Sequence, residues 1–431
     1  MTTIPLTPEQ RSLLFNDRLL GPGVAHNISF HIPLSSDIPD DVVRAAATTL
    51  TTRHGALRSG LVDAATQRLG NAEVDVAVFE TDDLDEGLSL RYRQLHNAEL
   101  FPRTTPRRAH FELVRSPAEQ ALLVSLDHVA ADGFSVDLAQ DCLSGALGLT
   151  DDPGAPAVSF EAFCTDRAAV AERRRNREIA AWQQAFDGVE PVLGLLPHEG
   201  ERATWIRAQR DSVLPGGELT AAVRELAATT RSTPFIVVAA LVSAVIWQRT
   251  GQRAFAVQTP VSTRRAATDL SVISYLVSER PIVCRVDPGT TFEAHVAGVR
   301  NACSTAVRNA YLAEDDLAER IDGFGAALSA PGVDYLQLHV DLVDEALPGV
   351  GSSEDSTERS DHVTELGPFT PSGDLTCTTL RFQLSPARTR LRTFFGGPQG
   401  GLPAAAELID AAVALLGQVA RTPETTLARL R

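Results

Sequence analysis

The feature that most constrains this chain is an alternation of short apolar, β-branched runs with helix-spaced segments, repeated on either side of one polar break. Residues 25–34 (AHNISFHIPL) mix β-branched and aromatic residues as a strand does. A short helix is expected before them at 10–20. Another is expected after them, opened by Pro39, Asp40 and Asp41, with Val42, Val43, Ala46 and Leu50 as its apolar stripe. Residues 109–114 (AHFELV) and 121–126 (ALLVSL) read as strands joined by a hairpin connection. Phe134, Leu138, Cys142 and Leu143 then restore helical spacing. The break is GLTDDPGAPA at 148–157, rich in turn formers. Beyond it come a charged helix over 160–187, the segment 213–226, an apolar helix over 235–250, and AFAVQTPVSTRR at 254–265, a strand running into a turn. Such alternation specifies an α/β fold. The chain has 431 residues, more than one core usually serves, so two units are expected, 1–160 and 161–431.

Charge narrows the partners. Thirty-nine basic against 55 acidic residues leave a formal charge of −16, which opposes broad attraction to phosphate backbones or anionic lipid, so neither nucleic acid nor membrane is expected. No basic start followed by an apolar core marks the N-terminus, and no run approaches the roughly 18–20 apolar residues that span a bilayer; a cytoplasmic location is expected. Cys142, Cys164, Cys284, Cys303 and Cys377 are widely spaced and form no C-x-x-C pair, which suggests reduced thiols without a metal site. The polar stretch 349–361 is expected to be a surface loop, and GGPQG at 396–400 a turn before the last helix. No G-x-S-x-G elbow, H-E-x-x-H, P-loop or dinucleotide fingerprint is complete, so no tightly bound cofactor is expected.

The sharpest chemical feature is DHVAADG at 127–133, where a strand end meets a helix start. The histidine there is His128, and an imidazole of ordinary, near-neutral pKa could relay a proton between an attacking group and a leaving group. A purely structural histidine fits the same residues. Asp132 has two readings, a direct partner of His128 or a helix cap paired with a distant arginine, and the anchor is preferred. Gly133 fits a close backbone approach or an ordinary turn.

The DHVAADG segment resembles the HHxxxDG motif of condensation domains from nonribosomal peptide synthetases, within the chloramphenicol-acetyltransferase-like acyltransferases. RHGALR at 53–58, TPVSTRR at 259–265 and SYLVSERPIVCRV at 274–286 resemble the same family in the expected order. The resemblance implies a V-shaped pseudo-dimer of two chloramphenicol-acetyltransferase-like lobes, with a crossover between them in 343–374 or the strands near 375–396. It implies a free-standing enzyme that moves an acyl or aminoacyl group from a carrier-protein thioester to an amine or hydroxyl acceptor. The phosphopantetheine arm would arrive on an acyl or peptidyl carrier protein. Cyclisation, dehydration or epimerisation is an alternative, as is a non-catalytic module that recruits a carrier protein or oxygenase. Residue by residue, His128 would be catalytic, and Asp132 would hold the loop through Arg264, with Arg265 as the alternative partner. Gly133 would lend an amide and room for the thioester. Asp127 replaces the family's first histidine, where a carboxylate would alter loop packing or raise the pKa of His128. Ser278 stands where many members carry asparagine.

Other features have blander readings. His26, His31 and His54 fit hydrogen-bonded structural roles better than catalysis. The arginine-rich run 172–178 is expected to be a solvated helix face, and Arg58 and Arg285 to make structural ion pairs. Trp182, Trp205 and Trp247 are expected to pack in the core or between lobes.

Overall fold

A computed structural model describes residues 3–21, 27–72, 74–96, 98–197, 204–343, 360–371 and 375–430. His26 and most of the 349–361 loop lie outside the described residues. The first part of the chain runs β1 (Thr3–Pro5), α1 (Pro8–Leu20), β2 (Asn27–Leu34), α2 (Asp40–Arg53), β3 (Ser59–Leu61), β4 (Thr66–Leu69), β5 (Val76–Glu80), α3 (Leu84–His96), β6 (Ala109–Arg115), β7 (Gln120–Asp127) and α4 (Gly133–Ala146). The long α5 (Phe160–Ala185) follows the polar break. Next come β8 (Trp205–Pro215), α6 (Glu218–Thr229), α7 (Pro234–Thr250), β9 (Ala254–Ser262), β10 (Val277–Arg285), α8 (Phe292–Arg308), α9 (Glu314–Arg320) and α10 (Asp322–Ser329). The chain closes with β11 (Val333–Leu342), β12 (Ser360–Pro368), β13 (Leu375–Leu384), β14 (Arg388–Pro398) and α11 (Leu402–Val419).

Two principal sheets anchor two cores. The first has the order β2-β7-β6-β5, and the second the order β10-β9-β11-β13-β14-β8-β12. Every residue of β7 is buried, which accounts for its near-continuous apolar sequence: it is a central strand between β2 and β6. In the second lobe α7 is apolar on all sides because it is enclosed, with each residue from Ile236 to Ile246 buried. Thr233 caps its start by accepting from the Ile236 amide, Pro234 occupies the first turn, and Gly251 ends it at φ 74°. By length and composition α11 is apolar enough to cross a membrane, contrary to the expectation that no such run exists. Its Leu408, Ile409, Leu415 and Leu416 are built into the second core.

Of the 343–374 stretch where a crossover was expected, 344–359 and 372–374 lie outside the described residues. The strands at 360–398 all pair within the seven-stranded sheet. Residues 263–276 link the lobes: Val272, Ile273 and Leu276 are buried in the core of the first lobe. The segment after β12 touches the first lobe without adding a strand, its Thr370 carbonyl pressed against Gly21 at the end of α1.

Candidate active site

A strand end, a short loop and a helix start place the DHVAADG side chains. β7 ends at Asp127, α4 begins at Gly133, and the Ala130 amide donates to the Asp127 carbonyl at 2.9 Å, tightening the turn. The two oxygens of Asp127 are engaged away from catalysis. Oδ2 accepts from Arg108 Nη1 at 3.0 Å and Oδ1 from the Val129 amide at 3.1 Å. Arg108 is fully buried and also donates to the carbonyls of Ser59, Phe101 and Arg103. Burial lowers its pKa and the Asp127 charge opposes that shift. Asp127 is therefore the counter-ion of a buried guanidinium, and of the two expected effects its contacts are those of loop packing.

His128 Nδ1 lies 2.7 Å from the Ala131 carbonyl. A carbonyl only accepts, so Nδ1 carries the proton, and in the neutral ring Nε2 is then the basic nitrogen. The ring is held edge-on by Tyr275, with centroids 5.0 Å apart and planes at 84°. Gln10, through Nε2, donates to the Val129 carbonyl at 3.0 Å and fixes the loop from the opposite side. Gln10 is itself fixed by a capping box with Thr7 at the start of α1.

Asp132 caps α4 by accepting from the Ser135 amide at 2.8 Å. The same carboxylate meets Arg264, with Nη2 2.8 Å from Oδ1 and Nε 3.3 Å from Oδ2, and it also accepts from the Leu276 amide at 3.1 Å. Both side chains are buried. Arg264 further donates to the carbonyls of Asp269, Val272 and Ser274, and its guanidinium lies 4.6 Å over the Phe134 ring. The pair thus ties the crossing segment to the motif helix. Arg265 points elsewhere, to the Tyr311 hydroxyl at 2.7 Å and the Val307 carbonyl. At Gly133 an added Cβ would meet no atom within 4 Å, so open space lies above the first turn of α4. A cavity of about 700 Å³ lined by Leu14, Asp17 and Arg103 adjoins the loop, Arg103 lying 4.0 Å from Asp127.

The remaining candidates sit outside this cluster. His31 bonds the Tyr92 hydroxyl at 2.9 Å, and burial lowers its pKa. His54 ends α2, its pKa pushed down to about 4 by burial and then by Arg53. Ser278 is buried, and its hydroxyl has no hydrogen-bond partner among the described residues. Arg58 and Arg285 hold backbone carbonyls, Gly70 for the first and Ala185 and Asp187 for the second, where ion pairs were expected. The 172–178 run is largely exposed, yet Glu178 is buried and accepts from the Tyr311 amide at 3.1 Å. Trp182 and Trp205 are buried together in one cluster and Trp247 packs on the second core. All five cysteines are free thiols, and no group of three metal-ligating side chains occurs among the described residues. Tyr275, Arg108 and Gln10 were not singled out by the sequence. The Thr7-x-x-Gln10 capping pattern signalled Gln10, and Tyr275 falls within the family-like segment 274–286.

A strand-to-helix histidine at the junction of two sheet-bearing lobes defines the class of chloramphenicol-acetyltransferase-like pseudo-dimers. Residues 1–326 match the condensation domain family model, and the chain belongs to that family. It is 27% identical over 335 residues to phosphinothricin tripeptide synthetase PhsC of Streptomyces viridochromogenes, a match covering 73% of this chain and 30% of that protein. The first condensation domain of the calcium-dependent antibiotic synthetase, solved with a substrate analogue, superposes with a TM-score of 0.70 at 19% identity, covering all of both chains. The X-domain from teicoplanin biosynthesis superposes with a TM-score of 0.75 at 18% identity, over 100% of this chain and 98% of that one. The chain thus spans less than a third of the length of PhsC.

Proposed function

We propose that the protein transfers an acyl or aminoacyl group from a carrier-protein phosphopantetheine thioester to an amine or hydroxyl acceptor, in the cytoplasm. The observation that supports this reading is the Nδ1 contact of His128 with the Ala131 carbonyl, which favours the neutral tautomer in which Nε2 is the base. The acceptor nitrogen or oxygen attacks the thioester carbon while Nε2 takes its proton. The carbonyl oxygen becomes an oxyanion, and the amide at the start of α4, at Gly133, is the donor suited to receive it. Collapse breaks the carbon–sulfur bond, and the imidazolium returns the proton to the thiolate. The products are an amide or ester and the free pantetheine thiol. Asp132 and Arg264 position the loop and touch neither reactant.

Intact-protein mass spectrometry with acyl-loaded carrier proteins and a mixed acceptor panel tests the reading, since it reports donor discharge and the product bond together. His128→Ala is expected to lower turnover by roughly 10²–10⁴-fold. Near-wild-type turnover by the folded variant sinks the assignment. Carrier binding without turnover by the unaltered protein would favour the recruitment alternative.

A further inference from the structure

The face of the seven-stranded sheet opposite the second core carries a row of charged side chains that this chemistry does not use. Register places His339 on β11 beside Arg381 on β13, Arg381 beside Arg392 on β14, and Arg392 beside Asp211 on β8. Their chain neighbours Leu338, Leu380, Phe382 and Leu391 lie in the core, so strand alternation turns the row away from it.

The row is short of negative charge. Arg381 holds Asp341 at 2.6 Å, and Arg390 and Arg392 share Asp211, which among the described residues sets these three guanidinium groups against two carboxylates. Two arginines directly opposite in a sheet repel one another. Burial, and then Arg390, hold Arg392 below the usual arginine range. Beside them, His339 Nε2 is buried without a hydrogen-bond partner among the described residues. Burial, and then Arg381, push that imidazole down to about 4, so it is a neutral ring able to donate. Arg381 is 35% and Arg392 21% exposed, which leaves the row reachable.

The same face leads toward the motif. Glu279 on β10 pairs with Pro260 on β9, and Gln258 on β9 pairs with Gln337 on β11. Glu279 acts electrostatically on Tyr275, the residue packed against His128. Neighbouring strands lie about 4.8 Å apart, so β13 stands about 14 Å from β10 across the sheet.

We infer that His339, Arg381 and Arg392 bind an oxyanion, a carboxylate or a phosphate, carried by a reaction partner whose reactive group lies at His128. The anion supplies the missing negative charge and accepts from Nε2 of His339. The second half of this statement rests on the acyl-transfer reading; the anion site does not.

Calorimetric titration separates the two. The probes are 4′-phosphopantetheine against pantetheine, and L-phenylalanine against L-phenylalaninamide, each pair differing in its oxyanion. One anionic probe is expected to bind at least tenfold more tightly than its neutral counterpart, and the pair that discriminates identifies phosphate or carboxylate. Arg381→Gln and Arg392→Gln should abolish the difference, whereas Arg210→Gln, on the opposite face with Asp361 and Asp410, should keep it. Equal affinities within both pairs, or no binding by any probe, overturn the site, and this arm needs no variant to fold. A preference for the anion that survives in Arg381→Gln and Arg392→Gln also overturns it. Repeating the titration in His128→Ala distinguishes the failures: binding retained there, with no transfer by the unaltered protein, leaves the anion site standing and removes the acyl-transfer reading.

Discussion

The carboxylate at position 127 is explained by its partner. Arg108 is buried at the base of the loop and needs a fixed negative charge, because an uncompensated guanidinium there would bear its full desolvation cost. Asp127→His should therefore destabilise the protein by about 3–5 kcal/mol, read as a lowered urea midpoint. A variant as stable as the parent would show that Arg108 draws its compensation from elsewhere. Asp132 and Arg264 are coupled in the same way. Asp132→Ala and Arg264→Ala should each lower stability, and the double variant should cost less than the sum, since the second change removes the charge that the first left unpaired. Gly133 behaves oppositely. An added methyl group meets only open space and suits a helix, so Gly133→Ala should preserve the thermal midpoint while reducing turnover by occupying the room assigned to the thioester. The DHVAADG string was legible as a strand-to-helix loop bearing a histidine. Tyr275 and Gln10 were not, because nothing local announces a contact such as that of Gln10 with Val129, 119 residues apart.

Among elements, the long regular ones were the most legible. The predicted helix at 235–250 is α7, and the two apolar runs near 109 and 121 are the antiparallel pair β6 and β7. Each carries its own periodicity, caps or turn residues, so local chemistry suffices. Thr233→Ala should cost about 1 kcal/mol by removing the α7 cap, a loss visible in denaturant titration. The contact of 263–276 with the first lobe was not legible, for the converse reason. Residues 263–276 show no strong periodicity, and Val272, Ile273 and Leu276 read like any loop apolar residues until the first lobe is present to bury them. Gly21 belongs to the same class. It sits at φ 81° with the Thr370 carbonyl 1.7 Å from where a Cβ would stand, so Gly21→Ala should lower the thermal midpoint although Gly133→Ala does not.

Across the whole molecule, burial sets two opposing pH dependences. His54, His295 and His339 are pushed from 6.5 down to about 4, mainly by burial. Folded-state values below the unfolded ones mean that their contribution is present above about 6.5 and is lost as pH falls toward 4. Glu279 and Glu314 are raised by burial from 4.5 to about 7 and about 8, respectively. Values raised on folding give stability that is present below 4.5 and lost as pH rises through 7 and 8. Stability should accordingly fall between pH 6.5 and 8, and Glu279→Gln with Glu314→Gln should flatten that decline. An unchanged slope in urea midpoints across the window would refute the assignment. The alternation of strands and helices, the loop that carries His128 and the net negative charge all follow from the residues alone, because periodicity, caps and charge are local or additive. Tertiary packing alone set Asp127 against Arg108, brought Arg264 rather than Arg265 to Asp132, walled the histidine with Tyr275, and put Arg381, Arg390 and Arg392 on one sheet face. Those are choices among chemically equivalent partners, and they are made only when strand register and lobe packing bring distant residues within hydrogen-bonding distance.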